Sequence, residues 1–79
     1  MKERQTFADF ERLAETSYAA MYEVRPYLVK DCYDDARLHL RRAIEAAQGD
    51  GLADEVARLT GRLKHVENVY NIQFRGVGR

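Results

Sequence analysis

The spacing of apolar residues in the last third of the chain is the feature that most constrains its fold. Apolar side chains recur there at alternating intervals of four and three residues, at Leu52, Val56, Leu59, Leu63, Val66 and Tyr70. An α-helix turns once in about 3.6 residues, so this spacing lines one side of a helix, whereas a strand would need strict alternation. We therefore predict an amphipathic helix over about 52–72, whose apolar side must be buried.

Two earlier stretches carry the same helical spacing. The first, over about 7–25, has its stripe at Phe7, Phe10, Ala14, Ser17, Met21 and Val24. Thr6 and Asp9 have the spacing of an N-cap box, and Pro26 predicts the end of this helix. The second, over about 32–48, buries Tyr33, Ala36, Leu40, Ala43, Ile44 and Ala47. Asp31 is its expected N-cap, and Gly49 predicts its end.

These patterns predict an all-α fold in a single domain spanning residues 1–79. Three helices joined by short turns favour an antiparallel up-down-up three-helix bundle. The last residues, from Phe74 onward, include Gly76 and Gly78, so we expect a frayed C-terminal tail.

A chain of 79 residues buries only about 60% of the surface that it exposes when unfolded, so its stability is marginal without further support. Cys32 is the only cysteine, which excludes a disulfide within the chain, and two histidines make a structural zinc site a poor fit. We expect no metal and no cofactor. Regular helix packing and association with another protein remain as sources of stability.

The sequence carries no recognisable catalytic motif, and we predict that the protein is not an enzyme. No serine, threonine or cysteine lies in a nucleophile elbow, and the glycines around Asp50 lack the lysine of a phosphate-binding loop. Asp35 and His39 are one helical turn apart, which is typical of a surface pair. An alternative hypothesis is a ligand-binding or enzymatic site formed between subunits by His65, Glu67 and tyrosines.

Thirteen basic and thirteen acidic residues give a net charge of zero, which disfavours a dedicated nucleic-acid binder. The alternative that we keep is a nucleic-acid-associated regulator with a basic face on the second and third helices, at Arg37, Arg41, Arg42, Arg58, Arg62 and Lys64. No apolar run approaches the ~18–20 residues that cross a bilayer, so we expect no membrane contact. A free thiol and the lack of an apolar leader indicate the cytoplasm, and the composition resembles that of bacterial proteins.

Tyrosines cluster around the first turn of the chain. They are enriched at protein interfaces because they offer a large contact area with a polar tip. The end of the third helix is also apolar on more than one side. We therefore predict a partner-binding surface formed by Tyr18, Tyr22, Tyr27, Tyr33, Val69, Ile72 and Phe74.

Residues 33–47 resemble the second helix of a tetratricopeptide repeat, with matches at Tyr33, the acidic pair after it, Ala36, Leu40 and Ala43. The following turn and the helix up to Tyr70 resemble the first helix of a next repeat. Microtubule-interacting-and-trafficking domains share the same local pattern. The insertion around Pro26 departs from the repeat. The resemblance implies that a peptide or helix binds in a groove.

Our leading hypothesis is a small non-enzymatic protein-interaction module. It would associate with itself as a homo-oligomer or dock a helix of a protein partner through its apolar surface.

Overall fold

The computed structural model describes residues 5–75, which form three α-helices: α1 (Phe7–Ala20), α2 (Val29–Gly49) and α3 (Ala53–Val69). A short 3-10 turn (Pro26–Leu28) precedes α2, and one π-helical turn (Tyr70–Phe74) extends α3. The predicted all-α three-helix bundle is confirmed. Residues 76–79, where we expected most of the frayed tail, lie outside the described residues.

The predicted start of α1 is confirmed by its capping box. The Thr6 hydroxyl accepts a hydrogen bond from the Asp9 backbone N–H at 3.4 Å, and the Asp9 carboxylate accepts one from the Thr6 N–H at 3.0 Å. Two backbone donors that a helix start leaves free are thereby satisfied.

The end of α1 comes earlier than predicted, at Ala20 instead of Arg25. Residues 21–24 form tight turns, with the Tyr22 N–H bonded to the Ala19 carbonyl at 3.1 Å. Met21 is almost completely buried at this point. Pro26 does not end α1 but begins the 3-10 turn, where its fixed φ is suited and its missing N–H costs nothing.

The start of α2 also differs from the prediction. α2 begins at Val29, three residues before Cys32, and its N-cap position is Leu28, which offers no side-chain cap. Asp31 therefore lies in the first turn of the helix, where its negative charge interacts favourably with the positive end of the helix dipole. The 3-10 turn runs directly into α2, so the chain needs no separate cap there.

α2 is the central helix, and α1 and α3 both pack against it. Its buried side carries Val29, Tyr33, Ala36, Leu40, Ala43 and Ala47. The alanines allow close approach of the neighbouring helices, and Leu40 is completely buried between them. α1 and α3 make few close backbone contacts with each other, so side chains must bridge the space between them.

The segment that follows α3 is regular up to Arg75, whereas the sequence predicted a frayed tail from Phe74 onward. The Arg75 N–H bonds to the Tyr70 carbonyl at 2.7 Å and closes the π-helical turn. Phe74 is half-buried and packs against the core. Within residues 5–75 no helix is long and apolar enough to cross a membrane.

We expect Leu59→Ala to lower the free energy of unfolding by about 2–5 kcal/mol, because Leu59 is fully buried and its truncation leaves a cavity. Leu13→Ala is the matched control, since Leu13 is 42% exposed on α1; we expect a loss below about 1 kcal/mol. Urea unfolding followed by circular dichroism measures both values. Equal losses for the two variants would contradict the packing described above.

Candidate interaction surface

Two arginine–glutamate pairs join α1 to α3. The Arg58 guanidinium donates to both carboxylate oxygens of Glu11 at 2.7 and 2.8 Å, and Arg62 donates to both oxygens of Glu15 at 2.7 and 2.6 Å. Both pairs span 47 residues, so the two helices run parallel and in register. Bidentate pairs of this kind combine charge with fixed geometry. We call this contact line the α1–α3 seam.

Aromatic rings continue the α1–α3 seam toward the C-terminal ends of both helices. The Tyr18 ring lies 4.9 Å from the guanidinium carbon of Arg62 and 6.1 Å from the His65 ring. The Tyr18 and Tyr22 hydroxyls are 3.3 Å apart, and their rings meet edge to face. The Tyr22 ring also meets the Phe74 ring at 5.0 Å. The seam is thus ionic at one end and aromatic at the other.

Contacts within the seam shift the pKa values of its members, as Glu11 and Tyr18 show. Hydrogen bonds from Arg58 hold the pKa of the Glu11 carboxyl below its usual value. The hydrogen bond with Tyr22, helped by burial, raises the pKa of the Tyr18 hydroxyl. At neutral pH Glu11 is therefore ionised and Tyr18 is protonated, which are the forms that these contacts require.

A second aromatic pair joins α2 to α3. Tyr33 stacks on Tyr70 with ring centroids 3.9 Å apart and planes within 5°. The Arg37 guanidinium lies 5.0 Å from the Tyr33 ring centre and contacts Glu67 at 3.4 Å. Burial raises the pKa of the Tyr33 hydroxyl. Tyr33 is only 7% exposed, so the structure places this predicted partner-binding residue in the core, where it supports the surface from below.

The remaining predicted surface residues gather at one end of the bundle, where α1 ends, α2 begins and α3 ends. Three of them are the most exposed large apolar side chains among the described residues: Ile72 at 82%, Tyr27 at 66% and Tyr22 at 54%. Tyr18, Val69 and Phe74 are half-buried beside them. We call this surface the aromatic end, formed by Tyr18, Tyr22, Tyr27, Val69, Ile72 and Phe74. Tyr70, which the sequence placed in the core stripe, anchors it through Tyr33.

Half of the predicted basic face is paired with acidic side chains, whereas Arg41, Arg42 and Lys64 have no ion pair within residues 5–75. Arg58, Arg62 and Arg37 each contact a glutamate on another helix. Hydrogen bonds to Glu11 and Glu55 raise the pKa of Arg58 further, so these charges are held in place. Phosphate contacts require positive charge that is free to replace counterions. The sequence could not reveal this pairing, because Glu11 and Glu15 lie far away along the chain.

The residues considered for chemistry each have a defined environment within the domain. In the part of the chain that the structure describes, no three His, Cys, Asp or Glu side chains meet as metal ligands would. Glu67 is engaged by Arg37, and His65 lies at the edge of Tyr18. Burial and the carboxylates of Asp35 and Asp31 raise the pKa of the Cys32 thiol, which disfavours a reactive thiolate.

A shallow depression of about 320 Å³ lies at the opposite end of the bundle, lined by Gln48, Gly51, Leu52, Ala53 and Val56. It is far from His65 and from the aromatic end, because it surrounds the turn between α2 and α3.

Neither a family model, nor a curated protein, nor a solved structure matches this chain significantly. The resemblance of residues 33–70 to a tetratricopeptide repeat therefore stays a prediction.

The α1–α3 seam predicts a pH dependence of stability. Because the pKa of Glu11 is lowered on folding from its ordinary value of 4.5, its contribution is present above that value and is lost as the pH falls through the lowered pKa. We expect Glu11→Gln to reduce the free energy of unfolding by about 0.5–1 kcal/mol at neutral pH and to have little effect near pH 2.5, since the pair is partly exposed to water.

Glu45→Gln is the control for this experiment, because Glu45 is exposed on α2 and has no ion pair within residues 5–75. Urea unfolding at both pH values measures the effect. A Glu11→Gln loss that is the same at acidic and neutral pH would show that the charge is not its cause.

Proposed function

We propose that this protein is a non-enzymatic interaction module whose aromatic end binds an apolar face of another polypeptide, either a helix of a partner or a second copy of the chain. The observation that carries the proposal is the exposure of Ile72, Tyr27 and Tyr22 at one end of a very small domain. Large apolar side chains exposed together at one end of a domain are typical of contact sites.

The chemical character of the aromatic end supports binding to protein. Tyrosine rings give a large contact area and keep a hydroxyl for hydrogen bonds at the rim. Ile72 supplies an aliphatic side chain that projects almost entirely into solvent. A helix whose apolar residues are three and four positions apart would present side chains at the spacing that such a surface can accommodate.

The Tyr22 ring is held in place before any partner arrives. It contacts the Tyr18 ring on α1 and the Phe74 ring in the turn that follows α3. Its hydroxyl is within hydrogen-bond distance of the Tyr18 hydroxyl. A side chain that is already immobilised loses less conformational entropy on binding. The aromatic contacts within the domain therefore favour binding through Tyr22.

The two alternative functions receive less support. Three of the six basic residues that nucleic-acid binding would use are engaged by Glu11, Glu15 and Glu67, which leaves only Arg41, Arg42 and Lys64 for phosphates. A site between subunits would need Glu67 free of Arg37. We therefore propose the interaction module alone.

Photo-crosslinking inside the cells that produce the protein tests the proposal. A benzophenone derivative of phenylalanine replaces Ile72 or Tyr27 at the aromatic end, and Leu13 or Leu52 in the controls. The controls are exposed leucines away from the aromatic end, at 42% and 38%. We expect irradiation to give a discrete protein adduct from positions 72 and 27 and little from positions 13 and 52.

The mass of the adduct identifies the partner class. An adduct of twice the mass of the chain indicates self-association, and any other discrete mass indicates a different protein. An absence of adducts at positions 72 and 27, or equal adducts at all four positions, would refute the aromatic end as the contact surface.

A further inference from the structure

The outer face of α2 carries a charge pattern that is its own complement. Leu38 is 43% exposed and lies midway between Ala36 and Leu40, which are both fully buried. Because each residue of a helix is rotated by about 100° from the last, Leu38 points away from the core. Two aspartates stand three and four residues before it, and two arginines stand three and four residues after it: Asp34, Asp35, Arg41 and Arg42.

Three of these four charges have no ion-pair partner within residues 5–75. All four side chains are exposed. Asp35, Arg41 and Arg42 form no ion pair with any residue of the described chain, and Asp34 has only partners on its own helix, Lys30 and Arg37. The aspartates cannot neutralise Arg41 and Arg42 of the same helix, because about seven residues of helix separate their Cα atoms by about 10 Å.

The helix dipole does not account for the pattern. The dipole acts on charges within the first and last turns of a helix. α2 extends from Val29 to Gly49, so the four charges lie in its middle, more than a turn from either end. Over residues 34–42 this face is acidic on one side of Leu38 and basic on the other, and one heptad from Leu38 in each direction the exposed Asp31 and Glu45 are both acidic.

We propose that the outer face of α2 is the contact surface of a symmetric dimer, in which α2 of one copy packs antiparallel against α2 of a second copy with the two Leu38 side chains at the centre. The partner is a second copy because only this chain is certain to supply the complementary pattern. In a two-fold contact each patch meets itself, so a surface must be self-complementary to dimerise in this way.

The helical geometry matches opposite charges in this arrangement. Relative to Leu38, Asp34 and Arg41 are rotated by about 40 and 60° to one side. Asp35 and Arg42 are rotated by similar angles to the other side. The two-fold axis of the dimer runs perpendicular to both helices. It reverses the direction of the helix but leaves each side chain on the same side of the contact. Asp34 therefore meets Arg41 of the second copy, and Asp35 meets Arg42, each pair occurring twice. Further out, Asp31 meets Glu45 of the second copy, so the attraction is confined to the turns on either side of Leu38.

The contact is small and largely ionic, and this determines the affinity and the salt dependence that we expect of the dimer. One leucine per copy and four exposed ion pairs fit a weak, reversible dimer rather than an obligate one. Exposed ion pairs are screened by salt, so the dimer should dissociate as the ionic strength rises. Contacts made by the aromatic end would not weaken in this way, because apolar burial is not screened.

Analytical ultracentrifugation of the full chain and of charge-reversed variants tests the proposal. Asp34→Arg with Asp35→Arg gives an all-basic face, and Arg41→Asp with Arg42→Asp gives an all-acidic face. We expect each variant alone to self-associate at least about tenfold more weakly than the wild type, since like charges then face each other. An equimolar mixture of the two should form a heterodimer, because opposite faces are restored.

A second pair of variants tests the centre of the contact. Leu38→Lys should abolish the dimer, whereas Leu13→Lys, at an equally exposed leucine on α1, should leave it unchanged. Circular dichroism confirms that each variant remains helical, so a loss of association is not a loss of folding.

Several outcomes would overturn the proposal: a wild-type chain that is monomeric up to about 1 mM in low salt, a dimer unaffected by Leu38→Lys, or folded charge-reversed variants that do not pair when mixed. A dimer that Tyr22→Ser with Ile72→Ser disrupts, and that the α2 variants do not, would assign self-association to the aromatic end. It would support the proposed function and refute this inference.

Discussion

The burial of one side of α2 between α1 and α3 is the interaction on which the rest of the structure depends. Alanines at three positions of that side permit close helix contacts, and Leu40 fills the space between them. Because both neighbours pack on the same central helix, they lie parallel to each other and are too far apart for close backbone contact. Long arginine side chains and tyrosine rings then fill the gap and create the α1–α3 seam.

The same arrangement leaves two surfaces without partners in the domain. Within residues 5–75 the aromatic end is exposed where α1 ends, α2 begins and α3 ends. The outer face of α2 is exposed because both other helices occupy the opposite side. The first surface is apolar, and the second is charged around a single leucine. A very small domain can thus offer two chemically distinct contact surfaces.

Signals from neighbouring residues predicted the start of α1 and the buried positions of α3 well, because capping and helical periodicity depend on residues close together in the sequence. The Thr6–Asp9 box predicted the first residue of α1, and the apolar spacing predicted the core positions Leu59 and Val66. The helix ends near Pro26 were wrong, because a proline can begin a turn of helix as well as end one. Local residues alone do not decide between those two roles.

The exposure of the predicted surface residues was anticipated only in part, for a similar reason. Tyrosine density pointed to the end of the bundle where Tyr22 and Tyr27 are exposed, but the chain pattern did not distinguish Tyr33, which is buried against Tyr70, from Tyr27, which projects into solvent. The basic face was proposed from spacing along α2 and α3. The pairing of two of its arginines depends on α1, whose glutamates reach Arg58 and Arg62 only once the three helices have packed. Contacts between distant segments are not encoded in local periodicity.

The chemical division of the α1–α3 seam gives the bundle a direction. Its ionic end, near Glu11, is weakened by dissolved ions, whereas its ring contacts, near Tyr22, are governed by solvent exclusion and are strengthened by salts such as sulfate. Raising the concentration of such a salt should therefore loosen α1 from its amino-terminal end while its carboxyl-terminal end stays anchored. Fraying would then proceed from one pole of the molecule only, and the pole that persists is the one that carries the exposed tyrosines.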